Sequence, residues 1–295
     1  MRRGLLVLAL FVLAGCQPEL TDRPWLVDTA RVLAVKSEPA EASPGELATF
    51  TALIANGSTS AQPRWRFCIA PKATTENNSV SSACLTSDSA LRAAGRGLEI
   101  QATLPSDACA SFGPDTPPGG FRPRDPDVTG GYYQPLRVDL LDAEPVFHLQ
   151  RIACGLAGAS FDVASAFGQS YVANRNPLLT PLSARVDGEP VAVDRIPRGA
   201  RVELELGWSE VETYVLYDRD RQQLVTQRES MRVAWYVSGG TLEREATGRS
   251  ADDPLLFSAN EWHAPTDAGT SQLWVVVRDS RGGLDFASYP LLVTP

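Results

Sequence analysis

Residues 272–294 read QLWVVVRDSRGGLDFASYPLLVT, two apolar runs on either side of Asp279-Ser280-Arg281-Gly282-Gly283. Alternate residues of a strand share a face, so Leu273, Val275 and Val277 point one way. The paired glycines supply the positive φ that a tight reversal needs, and the segment reads as a β-hairpin. Upstream, MRVAWYVSGG (231–240), QLVTQ (223–227) and ETYVLYD (212–218) continue as strands. In ARVELELGW (200–208), Val202, Leu204 and Leu206 alternate with Arg201, Glu203 and Glu205, one set inward and the other outward. Short strands separated by Gly and Pro turns predict a β-sandwich over residues 178–295.

The first half carries the same signal with longer interruptions. RVLAVKSEP, LATFTALIAN, RWRFCIA, LEIQATL (98–104), PLRVDLL (135–141) and VFHLQRIAC (146–154) read as strands. Phe50, Ala52 and Ile54 fall on one face of their strand, with Thr49, Thr51 and Leu53 on the other; Trp65 and Phe67 share a face. Residues 71–97 and 105–134 are too long for hairpin turns and read as insertions, where function concentrates. Residues 159–173 break the β pattern. Phe161, Ala164, Ser165, Gly168 and Val172 recur at helical spacing, predicting a helix that ends before Asn174-Arg175-Asn176-Pro177. The expectation is an all-β chain with two Ig-like β-sandwich domains, 30–158 and 178–295, joined by a helical linker at 159–177.

At the other end of the chain, Arg2 and Arg3 precede an apolar run from Gly4 to Ala14 and then Leu13-Ala14-Gly15-Cys16. The run is too short for a permanent span, and a charged start, short apolar stretch and small-residue site define a secretory signal. With cysteine next in line, the segment resembles the bacterial lipobox. That resemblance implies cleavage before Cys16 and acylation of Cys16, and several acyl chains hold a protein stably in a membrane. Gln17 in place of Asp resembles the Gram-negative sorting signal for the outer membrane. Residues 16–29, with Pro18 and Pro24, read as a short tether.

The block MRVAWYVSGG, EWHAPTDAG and LWVVVRD-RGG resembles bacterial Ig-like, PKD and fibronectin-type modules, with Trp235 in the role of the tryptophan packed under the last hairpin. The resemblance is architectural, since no cysteine pair matches the antibody-type bridge. LAGC, RVLAVKSEP with ASPGE, WRFC, ENNSV, GGFRPRDPDVTGGYYQP, YVANRNP and WVVVRDSRGG together resemble Ig-like lipoproteins of myxobacterial type. That likeness implies a fold and a location; fold alone implies no activity.

The net charge is −8, about −10 without Arg2 and Arg3, and no basic stripe is present, which disfavours nucleic acid. Besides Cys16 there are Cys68, Cys84, Cys109 and Cys154, an even set that in an exported chain predicts disulfides. Three pairings are open. Cys68–Cys84 with Cys109–Cys154, which would staple the insertions at both ends, is preferred. Two histidines and no CxxC pair disfavour zinc.

Asp125, Asp127 and Thr129, followed by Gly130, partly match the start of a calcium loop, but Leu136 stands where the closing acid belongs. The stretch otherwise reads as an ordered loop whose Tyr132 and Tyr133 pack on the sandwich, or as a binding loop presenting those rings to a ligand. His148 and His263 read as structural, Asp279-Ser280-Arg281 as a turn that could meet a partner, and no hydrolase motif or cofactor signature is present. The function expected is a lipid-anchored envelope protein with a structural, adhesive or binding role and a protein or glycan partner. Two alternatives stand beside it, a lipid-anchored hydrolase of envelope glycan or peptide and an accessory subunit of a larger envelope complex.

Overall fold

Half-buried alternation builds the first sandwich. In the computed structural model, which describes residues 23–57, 62–71, 80–114 and 128–295, eight strands form it. They are β1 (Arg31–Glu38), β2 (Glu41–Ala42), β3 (Leu47–Ala55), β4 (Arg64–Cys68), β5 (Leu91–Arg96), β6 (Glu99–Thr103), β7 (Gly131–Asp139) and β8 (Val146–Ala153). One sheet has the order β1-β3-β6 and the other β2-β8-β7-β4-β5. Phe50, Trp65, Phe67, Leu136, Val138 and Ile152 fill the space between them. The Trp65 indole N–H, buried with its ring, donates to the Gly97 carbonyl at 2.7 Å, which settles the polar group that burial would otherwise strand.

The second sandwich follows a helix. Its strands are β9 (Ser183–Val186), β10 (Glu189–Pro190), β11 (Ile196–Pro197), β12 (Arg201–Gly207), β13 (Thr213–Asp218), β14 (Gln223–Arg228) and β15 (Met231–Val237). Then come β16 (Thr241–Leu242), β17 (Ala246–Arg249), β18 (Phe257–His263), β19 (Gly269–Asp279) and β20 (Leu284–Thr294). The sheets are β10-β9-β12-β18-β16 and β11-β20-β19-β15-β17, with β13-β14 a separate hairpin. Trp235 is buried in the core with Val202, Leu204 and Leu206, and its indole donates to Thr247 Oγ1 at 2.8 Å. Leu273, Val275 and Val277 share that core, as their alternation predicts.

Both faces of the Trp274–Val277 run are apolar because both are covered. Trp274 and Val276 of β19 and Leu284 of β20 meet Leu33 and Ala34 of β1 and Leu53 and Ala55 of β3. The outer face of the β1-β3-β6 sheet thus packs on the outer face of the β19 sheet, stacking four sheets. A bulge makes this possible. The β1–β3 register shifts between Val32 and Ala34, so Val32 and Val35 turn into the first core while Leu33 and Ala34 both face the second sandwich. An extra residue re-aims the side chains around it.

Several expectations are corrected. Leu91–Arg96, inside the expected 71–97 insertion, is an edge strand paired with β4. β7 starts at Gly131, so Gly131–Gln134 are ladder residues opposite Ala153–Gln150 and not loop. The linker helix, α3 after α1 (Ala83–Thr86) and α2 (Ala108–Phe112), spans Phe161–Ser170 and is capped by Ser160, whose hydroxyl accepts from the Val163 N–H. Its seated side chain is Phe167, while Phe161 is 86% exposed, the reverse of the expected face. The tether ends earlier than residue 29: Val27 N–H donates to the Val237 carbonyl and Val237 N–H to the Trp25 carbonyl, and Val27 is buried between the sandwiches.

Candidate functional site

The residues that follow α3 run between the two sandwiches and bond to both. Tyr171 hydroxyl donates to the Glu41 carboxylate of the first sandwich. Asn174 N–H donates to Glu41 Oε2 at 2.9 Å, and its side-chain amide donates to both Asp279 oxygens of the second sandwich at 3.2–3.3 Å. Asn176 Nδ2 donates to the Ser37 carbonyl at 2.7 Å, and its oxygen accepts from Leu284 N–H at 2.8 Å. Each asparagine is a two-sided tie. Asn176 uses both the donor and the acceptor of its amide, whereas Asn174 combines its backbone N–H with its side-chain donor.

Two arginines anchor the seam from either side. Arg151, 1% exposed, donates through Nε to Glu41 at 3.0 Å and through Nη2 to Thr129. Burial opposes its charge, but Glu41 beside it holds its pKa above the usual guanidinium range. Arg281, also 1% exposed, donates to Glu229 at 2.7 Å, to Glu212 at 2.7 Å and to the Val172 carbonyl at 2.8 Å, and lies 4.7 Å from the Tyr214 ring centroid. A planar guanidinium with five donors suits this fan of acceptors. Burial and the neighbouring Asp279 charge push Glu229 up to about 7, although Arg281 pulls the other way. Asp279 is raised by its own burial, against hydrogen bonds from Arg281 and Gly283 N–H and from Asn174.

Two glycines make room for these groups. A Cβ on Gly131 would lie 2.0 Å from the Arg151 guanidinium carbon, and one on Gly283 would lie 2.1 Å from Asp279 Oδ2. The second glycine of each Gly-Gly pair therefore serves the junction.

A cleft of about 230 Å³ opens at the seam, lined by Lys36, Glu38, Arg175, Glu210, Glu212 and Glu229 among others. Each of these acids already has a partner in the chain. Glu38 accepts from Asn176, Glu210 and Glu212 from Arg175, and Glu229 from Arg281. The carboxylates converge on the chain's own cations, which makes the arrangement a fastening.

Sequence candidates fall variously. Cys68–Cys84 and Cys109–Cys154 are bonded, with S–S distances of 2.01 and 2.08 Å. Cys16, Asp125 and Asp127 lie outside the described residues. The structure places Thr129 against Arg151, a cation where a calcium ligand would need none, and no cluster of three metal-binding side chains occurs among the described residues. The binding-loop reading of the tyrosines is overturned: Tyr132 is 3% exposed in the first core, and Tyr133 hydroxyl donates to the Arg281 carbonyl across the junction. Both belong to β7, where successive side chains take opposite faces: Tyr132 enters the first core and Tyr133 points to the junction. Asp279 and Arg281 are likewise buried, and the turn that could have met a partner meets Tyr133 of the first sandwich and Asn174 of the linker. His148 is buried and held low, to about 4, chiefly by that burial; His263 bonds Glu261 at the surface.

Sequence reasoning missed Glu41, Glu212 and Glu229, which are isolated acids in turn-rich stretches with no spacing signal. YVANRNP and DSRGG were visible as distinctive strings, and the structure brings the two together.

No family model and no curated protein matches the chain. Among solved structures it is similar to the Yersinia pseudotuberculosis adhesin InvE, with 11% identity, a TM-score of 0.24, and coverage of 89% of this chain and 58% of that one. A glycosyl hydrolase family 2 member from Bacteroides cellulosilyticus gives 10% identity and a TM-score of 0.24, over 85% of this chain and 23% of that one. Dimeric latent PorU from Porphyromonas gingivalis gives 12% and 0.21, over 90% and 20%. The chain therefore spans a little over half the length of the first of these proteins and about a fifth to a quarter of the other two.

Proposed function

We propose that this is a lipid-anchored protein of the cell envelope, held at the outer membrane through Cys16, with a non-enzymatic structural or binding role. The observation that carries the reading is the junction. Its buried charges are used to fix two sandwiches in one relative position, which serves the presentation of surfaces and leaves these acids bound to arginines and asparagines. The two disulfides support an oxidising compartment, where such bonds persist. Exposed loops at the ends of the stacked sheets are then the surfaces available to a protein or glycan partner.

Replacing Cys16 tests the anchor. Cys16→Ala should leave the protein unlipidated and in the soluble fraction, whereas retention in the membrane fraction would defeat the reading. Crosslinking and pull-down of the lipidated protein from its own envelope should yield a defined partner. Release of soluble sugar or peptide from purified envelope by the wild-type protein would overturn the non-enzymatic role.

A further inference from the structure

The stacked sheets have two ends of different construction. At one end, Arg31 pairs with Ala55 and Val237 with Leu273. At the other, Glu38 pairs with Thr49, Met231 with Asp279, and Gly131 with Ala153. The second end holds the Glu41–Arg151 pair, the asparagine seam and both disulfides, and there the chain leaves β4 after Cys68 to return at Leu91 and leaves β6 after Thr103 to return at Gly131. The first end holds shorter connections, including Ser238–Gly240 between β15 and β16 and residues 264–268 between β18 and β19.

The amino-terminal segment joins the fold at the first end. Leu26 bridges Val237 in parallel register, Asn56 Nδ2 donates to the Val27 carbonyl at 2.8 Å, and Arg23 lies 5.9 Å from the Trp25 ring centroid. Nine residue steps separate Cys16 from Trp25. Such a length spans at most about 30 Å fully extended and on the order of 16 Å on average if flexible. The six steps of β15 from Val237 to Met231 alone cover about 20 Å, and the linker lies beyond. A lipid on Cys16 could reach a bilayer at the far end only with the tether stretched along the whole stack.

We propose that the end containing Trp25, Ser238–Gly240 and residues 264–268 lies against the phospholipid head groups, and that the junction end, with α3 and both disulfides, faces away from the membrane. The inference rests on the lipidation of Cys16 proposed above. Charge at the near end is mixed, with exposed Arg23 and Arg198 beside exposed Asp28 and Asp267, so the orientation rests on the short reach of the tether. The far end is then the surface offered to a partner.

The test uses the full-length protein, lipidated in cells and reconstituted into phosphatidylethanolamine–phosphatidylglycerol vesicles carrying a head-group spin label. A fluorophore is placed on Thr266→Cys at the near end or Asp162→Cys on α3 at the far end, both exposed positions. Quenching should be several-fold stronger at 266 than at 162. Equal or reversed quenching in a protein whose mass shows the acylated Cys16 overturns the orientation alone. A mass without the acyl groups overturns the anchor and the orientation together.

Discussion

Two buried side chains set opposite pH dependences on the fold. Glu229 binds its proton more tightly in the folded protein, at about 7 against an ordinary 4.5. Its contribution to stability therefore falls as pH rises from 4.5 to 7, and acidification through that window stabilises the fold. His148 behaves the other way. Its folded value is about 4 against 6.5, so the unfolded chain takes up the proton first and stability is lost as pH falls from 6.5 to 4. Each shift of this size corresponds to roughly 3 kcal/mol, and the windows overlap between 4.5 and 6.5. Wild-type protein should therefore show little change in urea midpoint between pH 6.5 and pH 5. Glu229→Gln should expose the histidine slope and unfold more easily at pH 5, whereas His148→Leu should be more stable at pH 5 than at pH 6.5. Parallel pH profiles for the two variants would show that neither group titrates as its surroundings require.

The two short helices show how elements are held where propensity is weak. α1 has four residues and α2 five, neither has a side-chain cap, and each carries one half-cystine, Cys84 and Cys109. Helices this short are unstable alone in water, so the bonds to Cys68 in β4 and Cys154 after β8 position them. Cys109–Cys154 closes 45 residues and Cys68–Cys84 closes 16. Cross-links of such loops are worth about 2–4 kcal/mol, the longer slightly more. Replacing each pair by serine should lower the denaturant midpoint by that order, with the larger loss at Cys109–Cys154; equal stability to wild type would show the helices to be held by packing alone. The sequence made the strands legible because Val202-Glu203-Leu204-Glu205-Leu206 alternates by burial. It hid β5, because Leu91–Arg96 is an edge strand with little apolar content. It misjudged α3 because Phe161 and Phe167 both fit a helical repeat, and only the space over Gly130, 2.7 Å from Phe167 for an added Cβ, decides which one is seated. The junction was illegible for a related reason: Glu41, Asn174, Glu212, Glu229 and Arg281 are up to 240 residues apart, and nothing in their spacing connects them.

On the scale of the whole molecule, the question is whether two sandwiches behave as one body. Interfaces between domains of a chain are commonly small and polar, and relative motion is their default. Here an apolar layer of Leu33, Ala34, Leu53, Trp274, Val276 and Leu284 is combined with buried ion pairs at one end of the stack. Lys36 reinforces it, donating to Asp285 across the interface at 2.9 Å. Unfolding one sandwich would expose this layer on the other, part Lys36 from Asp285 and release the asparagine ties of the linker, so the two halves should unfold together. Arg281 is the most exacting component. Removing one member of a buried ion pair leaves its partner uncompensated and costs about 3–5 kcal/mol, and Arg281→Ala would strand Glu229, while Glu212 keeps Arg175. Arg281 lies in the second sandwich but also holds the linker through the Val172 carbonyl. The variant should therefore lower stability and also weaken the coupling. Calorimetry of the wild type should show one transition whose calorimetric and van't Hoff enthalpies agree. Arg281→Ala should show two, with the second sandwich melting first while the disulfide-stapled first sandwich persists. Two transitions already in the wild type would mean that the apolar layer and the ion pairs together do not couple the domains, and that each sandwich folds on its own account.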